Sequence, residues 1–369
     1  MHYLGWIHSE DIIEHCAEYG LVFLLFTLGL EFSIPRLIDL KKTVFGLGSL
    51  QMLAVSLSMF AILFYWGLPF VSAVVCAIGL SFSSTAILIK ELKRREKLNS
   101  DTGEKVVAIL LFQDLLAMAV LLVLPCLPYG EGNLVIRSLL FAFAKGTLLF
   151  CILMAIGQWV LPKVLNEIVA TKAEELFVLV TLVISLAAAW LTDQLGLSMA
   201  LGSFLIGMMM GESHHAHRIE KEIRPFRDLL LGVFFVSIGM KVDVNLIFSD
   251  GWMILFIAFF MIFIKTVMMF LVLKFKGHST TKALELSLYL SQGGEFGFAV
   301  LSLATTYQLI TIDVAPRYLS VIVLSMALSP LVFTLLRKLN PRTEMLPDEM
   351  ETEVLPIPVV VGYEKDDFK

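Results

Sequence analysis

One carboxylate stands inside a stretch of otherwise uncharged residues. From Val106 to Leu124 every side chain is uncharged except Asp114, and its neighbour Gln113 is the only other strongly polar one. At a helical rise of about 1.5 Å these 19 residues span about 29 Å, close to the hydrocarbon thickness of a bilayer. A charged carboxyl at that depth costs about 2.5–3.5 kcal/mol on insertion scales, unless it faces a partner, water or an ion. The residues one turn away, Leu110, Leu111, Ala117 and Met118, are apolar. Such a setting penalises a bare charge. A carboxyl there holds a proton or a cation by turns, and that competition is the minimum mechanism for exchange. Gln113 offers a neutral carbonyl oxygen suited to an alkali cation. The plainer alternatives are a buried ion pair for Asp114 and an interhelical hydrogen bond for Gln113.

Two further stretches have the composition of broken membrane helices. Ser81, Ser83, Ser84 and Thr85 cluster in SFSSTAI, where hydroxyls can bond carbonyls of the preceding turn and bend a helix. Gly293, Gly294 and Gly297 fall within SQGGEFG, each costing about 1 kcal/mol against Ala in a helix interior. Unwound backbone inside a membrane is tolerated only where it is buried in protein or lines a cavity. Paired interruptions point to a midplane site, whose half-helix ends carry partial charges of both signs. Ser83, Ser84, Thr85 and Glu295 join Asp114 and Gln113 as candidate ion-site residues. Glu295 can instead neutralise a half-helix N-terminus. Lys265, alone in FFMIFIKTVMMF, needs an acid, a carbonyl cluster or loss of its proton. It is assigned to the crossing of the broken helices, with Gln292, Gly293 and Gly294 as support. The bland alternative for these stretches is close packing of small residues.

The elements that position these residues follow from hydropathy. The chain is 58% hydrophobic and 17% charged, against about 25% charged in soluble domains. This is an all-α polytopic membrane protein. Apolar segments fall near 18–33, 43–66, 70–89, 106–125, 138–161, 175–194, 197–211, 228–240, 252–273, 283–305 and 317–336. Alternate loops hold 21 Lys and Arg, and the others hold only Arg137, Lys241 and Arg317. By the positive-inside rule the first set is cytoplasmic, as is the C-terminus. LFTLGLEFS and FVSIGMKVDV place Gly29 and Gly239 at an offset of 210, and Ser83 falls on Gly293 at the same offset. Segments 18–125 and 175–336 therefore read as two repeats of inverted topology, the architecture of many secondary transporters. A symmetric design wants two more helices before residue 1. Residues 1–339 form the expected transport domain. Residues 340–369 read as a linker and tail, in which LPIPVVVGY resembles the first strand of a further domain.

Several classes are excluded. Cys16, Cys76, Cys126 and Cys151 have no ligand spacing, so no metal beyond a monovalent cation and no cofactor is expected. An intramembrane aspartyl enzyme wants a second mid-membrane Asp, but Asp193 lies at a segment end, and there is no HExxH. The stretch 211–228, with His214, His215, His217, Glu212, Glu220 and Glu222, reads as a solvated cytoplasmic loop. A pH-sensing or docking role for His217, Glu220 and Glu222 is the sharper alternative.

LLFTLGLEF, LSFSSTAI, ILLFQDL, GLSMALGSFLIGMMM, PFRDLLLGVFFVSIGM, IKTVMMF and LSQGGEFGF occur in this order over roughly residues 15–335. Together they resemble the membrane domain of Kef-type monovalent cation:proton antiporters, related to glutathione-gated potassium efflux systems. The resemblance implies a sodium/proton-antiporter fold with two crossed broken helices, a homodimer, and elevator-like movement of a core domain. It carries ion-site roles onto Asp114 and Gln113, and crossing roles onto Ser83, Ser84, Thr85, Lys265, Gly293, Gly294 and Glu295. It associates the Gln-Asp pair with potassium over sodium. A regulatory cytoplasmic domain or subunit is also implied, touching the His217–Glu222 segment. Lys221 interrupts the acids there, and the family's Gly-rich nucleotide-binding motif and first two helices are missing from the sequence. A channel-like or sensor protein that kept the fold is the alternative reading.

Overall fold

The computed structural model describes residues 10–32, 34–129, 144–149, 151–171, 173–195, 198–241, 244–311 and 313–339. Among these residues every regular element is helical. In chain order the longer ones are α1 (Glu10–Glu31), α2 (Lys41–Tyr65), α3 (Phe70–Ser81), α4 (Thr85–Arg94), α5 (Asp101–Val123), α6 (Leu161–Ala170), α7 (Glu174–Gln194), α8 (Met199–Gly211), α9 (Ala216–Lys241), α10 (Val244–Phe275), α11 (Thr280–Tyr289), α12 (Glu295–Thr306), α13 (Ala315–Ala327) and α14 (Ser329–Leu339), with short helical turns at Ile34–Asp39 and Leu124–Tyr129. Among the described residues six helical spans are long and apolar enough to cross a membrane, and the shorter apolar helices Tyr19–Leu30, Met199–Gly211 and Glu295–Thr306 accompany them.

Local sequence explains where several helices start. Ser100 caps α5, its hydroxyl accepting from the Gly103 amide at 3.1 Å, with Asp101 and Glu104 in the first turn. Ser84 caps α4 by accepting from the Ile87 amide at 3.3 Å. Ser198 caps α8 through the Ala200 amide. Gly294 precedes α12 in extended backbone, and Glu295 follows in its first turn.

Helix boundaries recur at the spacing seen in the sequence. The ends of α2 and α10, Tyr65 and Phe275, are displaced by 210 residues. The same offset separates the starts of α3 and α11, the starts of α4 and α12, and the ends of α1 and α9. The third and tenth apolar segments are each two half-helices, α3/α4 and α11/α12, parted by short non-helical turns.

Two groupings organise the packing. The helices α1, α7, α8 and α9 pack on one another. There small residues let backbones touch: a Cβ on Gly207 would lie 2.2 Å from the Phe26 carbonyl oxygen. The second grouping, α2–α5 with α10–α14, contains both broken helices. Its outer face shows Leu53, Leu57, Phe256, Phe259 and Phe263, the composition that lipid tails accept. Glu91 of α4 is held at its buried end by Arg94 and Arg95, and Arg95 also donates to the Phe333 carbonyl at 2.9 Å.

Two sequence expectations change. The stretch expected as a loop at 211–228 is helical from Ala216 onward, because Ile219 and Ile223 bury one face while His217 and Lys221 stay exposed. The eighth apolar segment, 228–240, is the continuation of that same helix. The fifth segment, 138–161, is described in part: helix at 144–149 and 151–155, then a π-helical turn at Ile156–Val160 leading into α6. The tail 340–369, with its apolar stretch 355–363, lies outside the described residues.

Candidate functional site

The two breaks meet backbone to backbone. A Cβ on Gly294 would lie 2.5 Å from the Ser83 carbonyl carbon and 2.8 Å from the Ser84 amide nitrogen. One turn on, a Cβ on Gly297 would lie 2.6 Å from the Gly79 carbonyl oxygen. Only glycine admits this approach, and the tenth segment carries one at each of the two contacts, Gly294 and Gly297. Ser83 is tied across the crossing too, its hydroxyl donating to the Leu290 carbonyl at 2.8 Å.

Breaking a helix strands backbone donors and acceptors, and each needs a partner away from water. The donors are met by side chains from the following helix in each repeat. The Ser83 amide donates to Gln113 Oε1 at 2.7 Å. The Gly293 amide donates to the Ser325 hydroxyl at 3.0 Å. These bonds occupy matching places in the two halves, since Ser83 and Gly293 are 210 residues apart. The acceptors converge on one cation. Lys265 of α10 is 1% exposed, and its Nζ lies 2.7 Å from the Phe82 oxygen, 2.8 Å from the Gln292 oxygen and 3.3 Å from the Leu80 oxygen. Of the three partners open to a mid-membrane lysine, the structure supplies the carbonyl cluster. Two of those carbonyls belong to one break and one to the other, so a single ammonium joins them.

Asp114 sits against the first break. It is buried on α5, and its Oδ1 accepts from the Thr85 hydroxyl at 3.1 Å. Thr85 opens α4, so the carboxyl faces the positive end of a half-helix. Glu295 occupies the corresponding place at the start of α12. It is 3% exposed, and its Oε1 accepts from the Ala86 amide at 3.4 Å. The other carboxyl oxygen of Glu295 and both polar atoms of the Gln292 amide are buried without a hydrogen-bond partner. Buried polar atoms left open in this way mark places that accept water or an ion. The site thus gathers Ser83, Ser84, Thr85, Gln113, Asp114, Lys265, Gln292, Gly293, Gly294 and Glu295 around one crossing.

The second cluster lies elsewhere. His217, Glu220 and Glu222 stand on the first turns of α9, which packs with α1 and α7. Glu220 faces Arg224 at 3.5 Å. His215, just before that helix, bonds Asn166 of α6 at 2.7 Å.

Two contributors escaped the sequence reading. Ser325 is an ordinary serine in an apolar helix, and the repeat offset does not single it out, since 210 residues on from Gln113 lies Val323. Gln51, 1% exposed on α2, accepts from Gln113 Nε2 at 3.0 Å. An amide inside the apolar run LGSLQMLAVSL was the available signal. The Gln113 oxygen, expected to face a cation, is engaged by the Ser83 amide.

Similarity to known proteins agrees with this arrangement. The family model described as "Sodium/hydrogen exchanger, transmembrane" matches residues 1–338. A curated protein of Alkalimonas amylolytica, described as a putative K(+) efflux antiporter KefB, is 39% identical over 305 residues, covering 82% of this chain and 46% of that protein. The chain therefore spans about half the length of this relative. The solved structure of the sodium proton antiporter MjNhaP1 from Methanocaldococcus jannaschii at pH 8 matches with a TM-score of 0.65 and 20% identity, covering 91% of this chain and 89% of that one.

Proposed function

Since the chain belongs to the sodium/hydrogen exchanger family, whose members are transporters and not enzymes, we propose that it exchanges a monovalent cation for protons across the membrane. The carrying observation is the buried Asp114 carboxyl beside an unwound half-helix start, with the Thr85 hydroxyl on it. A carboxyl there neutralises its charge with either a proton or a cation. Binding of one releases the other, and elevator-like movement of the domain that carries the two broken helices changes the side to which the site opens.

Potassium is the proposed cation, because the Alkalimonas amylolytica relative is described as a K(+) efflux antiporter. Sodium is the alternative, favoured by the family description and by the antiporter of similar fold. We place the Lys- and Arg-rich loops, and with them the C-terminus, on the cytoplasmic side of the cell membrane. A homodimer, and a cytoplasmic regulatory partner at the start of α9, belong to the same proposal.

The test is proton flux in proteoliposomes with a pH dye inside, driven by potassium or sodium gradients. Cation-dependent flux that Asp114→Asn abolishes is the expected result. Undiminished flux in that variant overturns the site, and flux in neither salt overturns antiport.

A further inference from the structure

Gln51 lies outside the set of residues just assigned to ion exchange, yet it is joined to them by a chain of two bonds. Its Oε1 accepts from Gln113 Nε2 at 3.0 Å, and Gln113 Oε1 accepts from the Ser83 amide at 2.7 Å. Ser83 lies two residues before Thr85, whose hydroxyl bonds Asp114. All of these side chains are buried.

The direction of the chain is fixed by chemistry. A backbone N–H can only donate, so the atom of Gln113 that faces Ser83 is its oxygen. The NH2 end of Gln113 must then point at α2, where only an acceptor satisfies it. Gln51 presents one. With a donor there, a Gln113 amide reversed to meet it would set NH2 against the Ser83 N–H, two donors face to face; with an apolar group there, the Gln113 NH2 would be buried without a partner. The helix α2 thereby does for the stranded donor what its repeat counterpart α10 does, through Lys265, for the stranded acceptors.

We propose that Gln51 is a positioning residue for the exchange step: acting through Gln113, it holds the Ser83–Thr85 break where the Thr85 hydroxyl meets Asp114. The inference rests on the antiport reading of that site.

The experiment is a double-mutant cycle on the full chain in proteoliposomes, with Gln51→Leu, Gln113→Leu and the two combined. Gln51→Glu is the conservative variant, because a carboxyl keeps an acceptor oxygen in either protonation state. Removing the acceptor should raise the KM for the driving cation roughly tenfold and move the pH profile of flux, as one lost bond and one stranded donor would. Gln51→Glu should keep KM within about threefold, and Gln51→Leu should add almost nothing in the Gln113→Leu background. A wild-type KM and pH profile in Gln51→Leu overturns the proposal. So does equal loss in Gln51→Leu and Gln51→Glu, or additivity in the cycle. If Gln51→Leu does not fold, Gln51→Met carries the same comparison. If the unaltered protein moves no ions, the antiport reading fails by itself. The same cycle read by thermal unfolding then decides the positioning role, coupling supporting it and additivity overturning it.

Discussion

Thr85 and Asp114 meet across 3.1 Å, hydroxyl to carboxyl oxygen, so the ion-site candidate on α5 is tied to the first residue of the half-helix α4. Thr85→Val keeps the shape of the side chain and deletes that donor. The cation KM should rise roughly three- to tenfold, the size of one ordinary hydrogen bond. Thr85→Ser should restore it. Initial rates of dye-reported proton flux give both values, and an unchanged KM in Thr85→Val would detach the hydroxyl from the site.

Lys265 holds three carbonyls of two different breaks, with no carboxylate bonded to it among the described residues. Lys265→Met fits the apolar surroundings but leaves those acceptors bare. Each stranded buried group costs about 1–3 kcal/mol, so the thermal midpoint of the detergent-purified protein should fall by at least several degrees. Lys265→Gln, which keeps two donor hydrogens, should lose less. Thermostability by fluorescence-detected gel filtration makes the comparison. A Lys265→Met protein as stable as wild type would mean that the ammonium does not hold the crossing together.

Gly294 is the point at which the two breaks touch. A methyl group there meets Ser83 and Ser84 backbone atoms at 2.5–2.8 Å, and backbone cannot swing aside as a side-chain tip can. Gly294→Ala should therefore cost about 1–3 kcal/mol or more and lower flux sharply. Gly46, where a Cβ meets nothing within 4 Å, is the control, and Gly46→Ala should behave as wild type in both assays. Equal behaviour of the two variants would contradict the close approach.

The sequence made the crossing legible because polar residues in a membrane segment are few and costly. Asp114, Lys265, the serine cluster and the triple glycine each violated an apolar pattern, and all of them came together. The offset of 210 residues survived as matching helix boundaries for the same reason, since half-helix lengths are set by the membrane. Less visible were bonds whose partners are common residues. Nothing in one serine among many announces that Ser325 answers the Gly293 amide. The helical run from Ala216 was obscured by its charges: hydropathy sees a polar stretch, whereas Ile219 and Ile223, one turn apart, bury the stripe that makes it a helix. Gln113 looked like a cation ligand because its commitment to Ser83 depends on a turn formed 30 residues earlier in the chain.

Lys97, in the turn after α4, pairs with Glu285 of α11 at 2.5 Å, with side chains only 15% and 8% exposed. The pair fastens one broken helix to the other near the end of the bundle that carries most of the positive charge. Breaking a pair this shielded leaves one ion without its partner, at about 3–5 kcal/mol. Lys97→Ala and Glu285→Ala should each lower the thermal midpoint. The exchange Lys97→Glu with Glu285→Lys should recover most of the loss, because the attraction survives reversal of sign. Added salt should change the wild-type midpoint little, since a buried pair is weakly screened. If the doubly exchanged protein is no more stable than the singles, the contact is a neighbour relation without an electrostatic bond, and the two half-helices are held by the crossing alone.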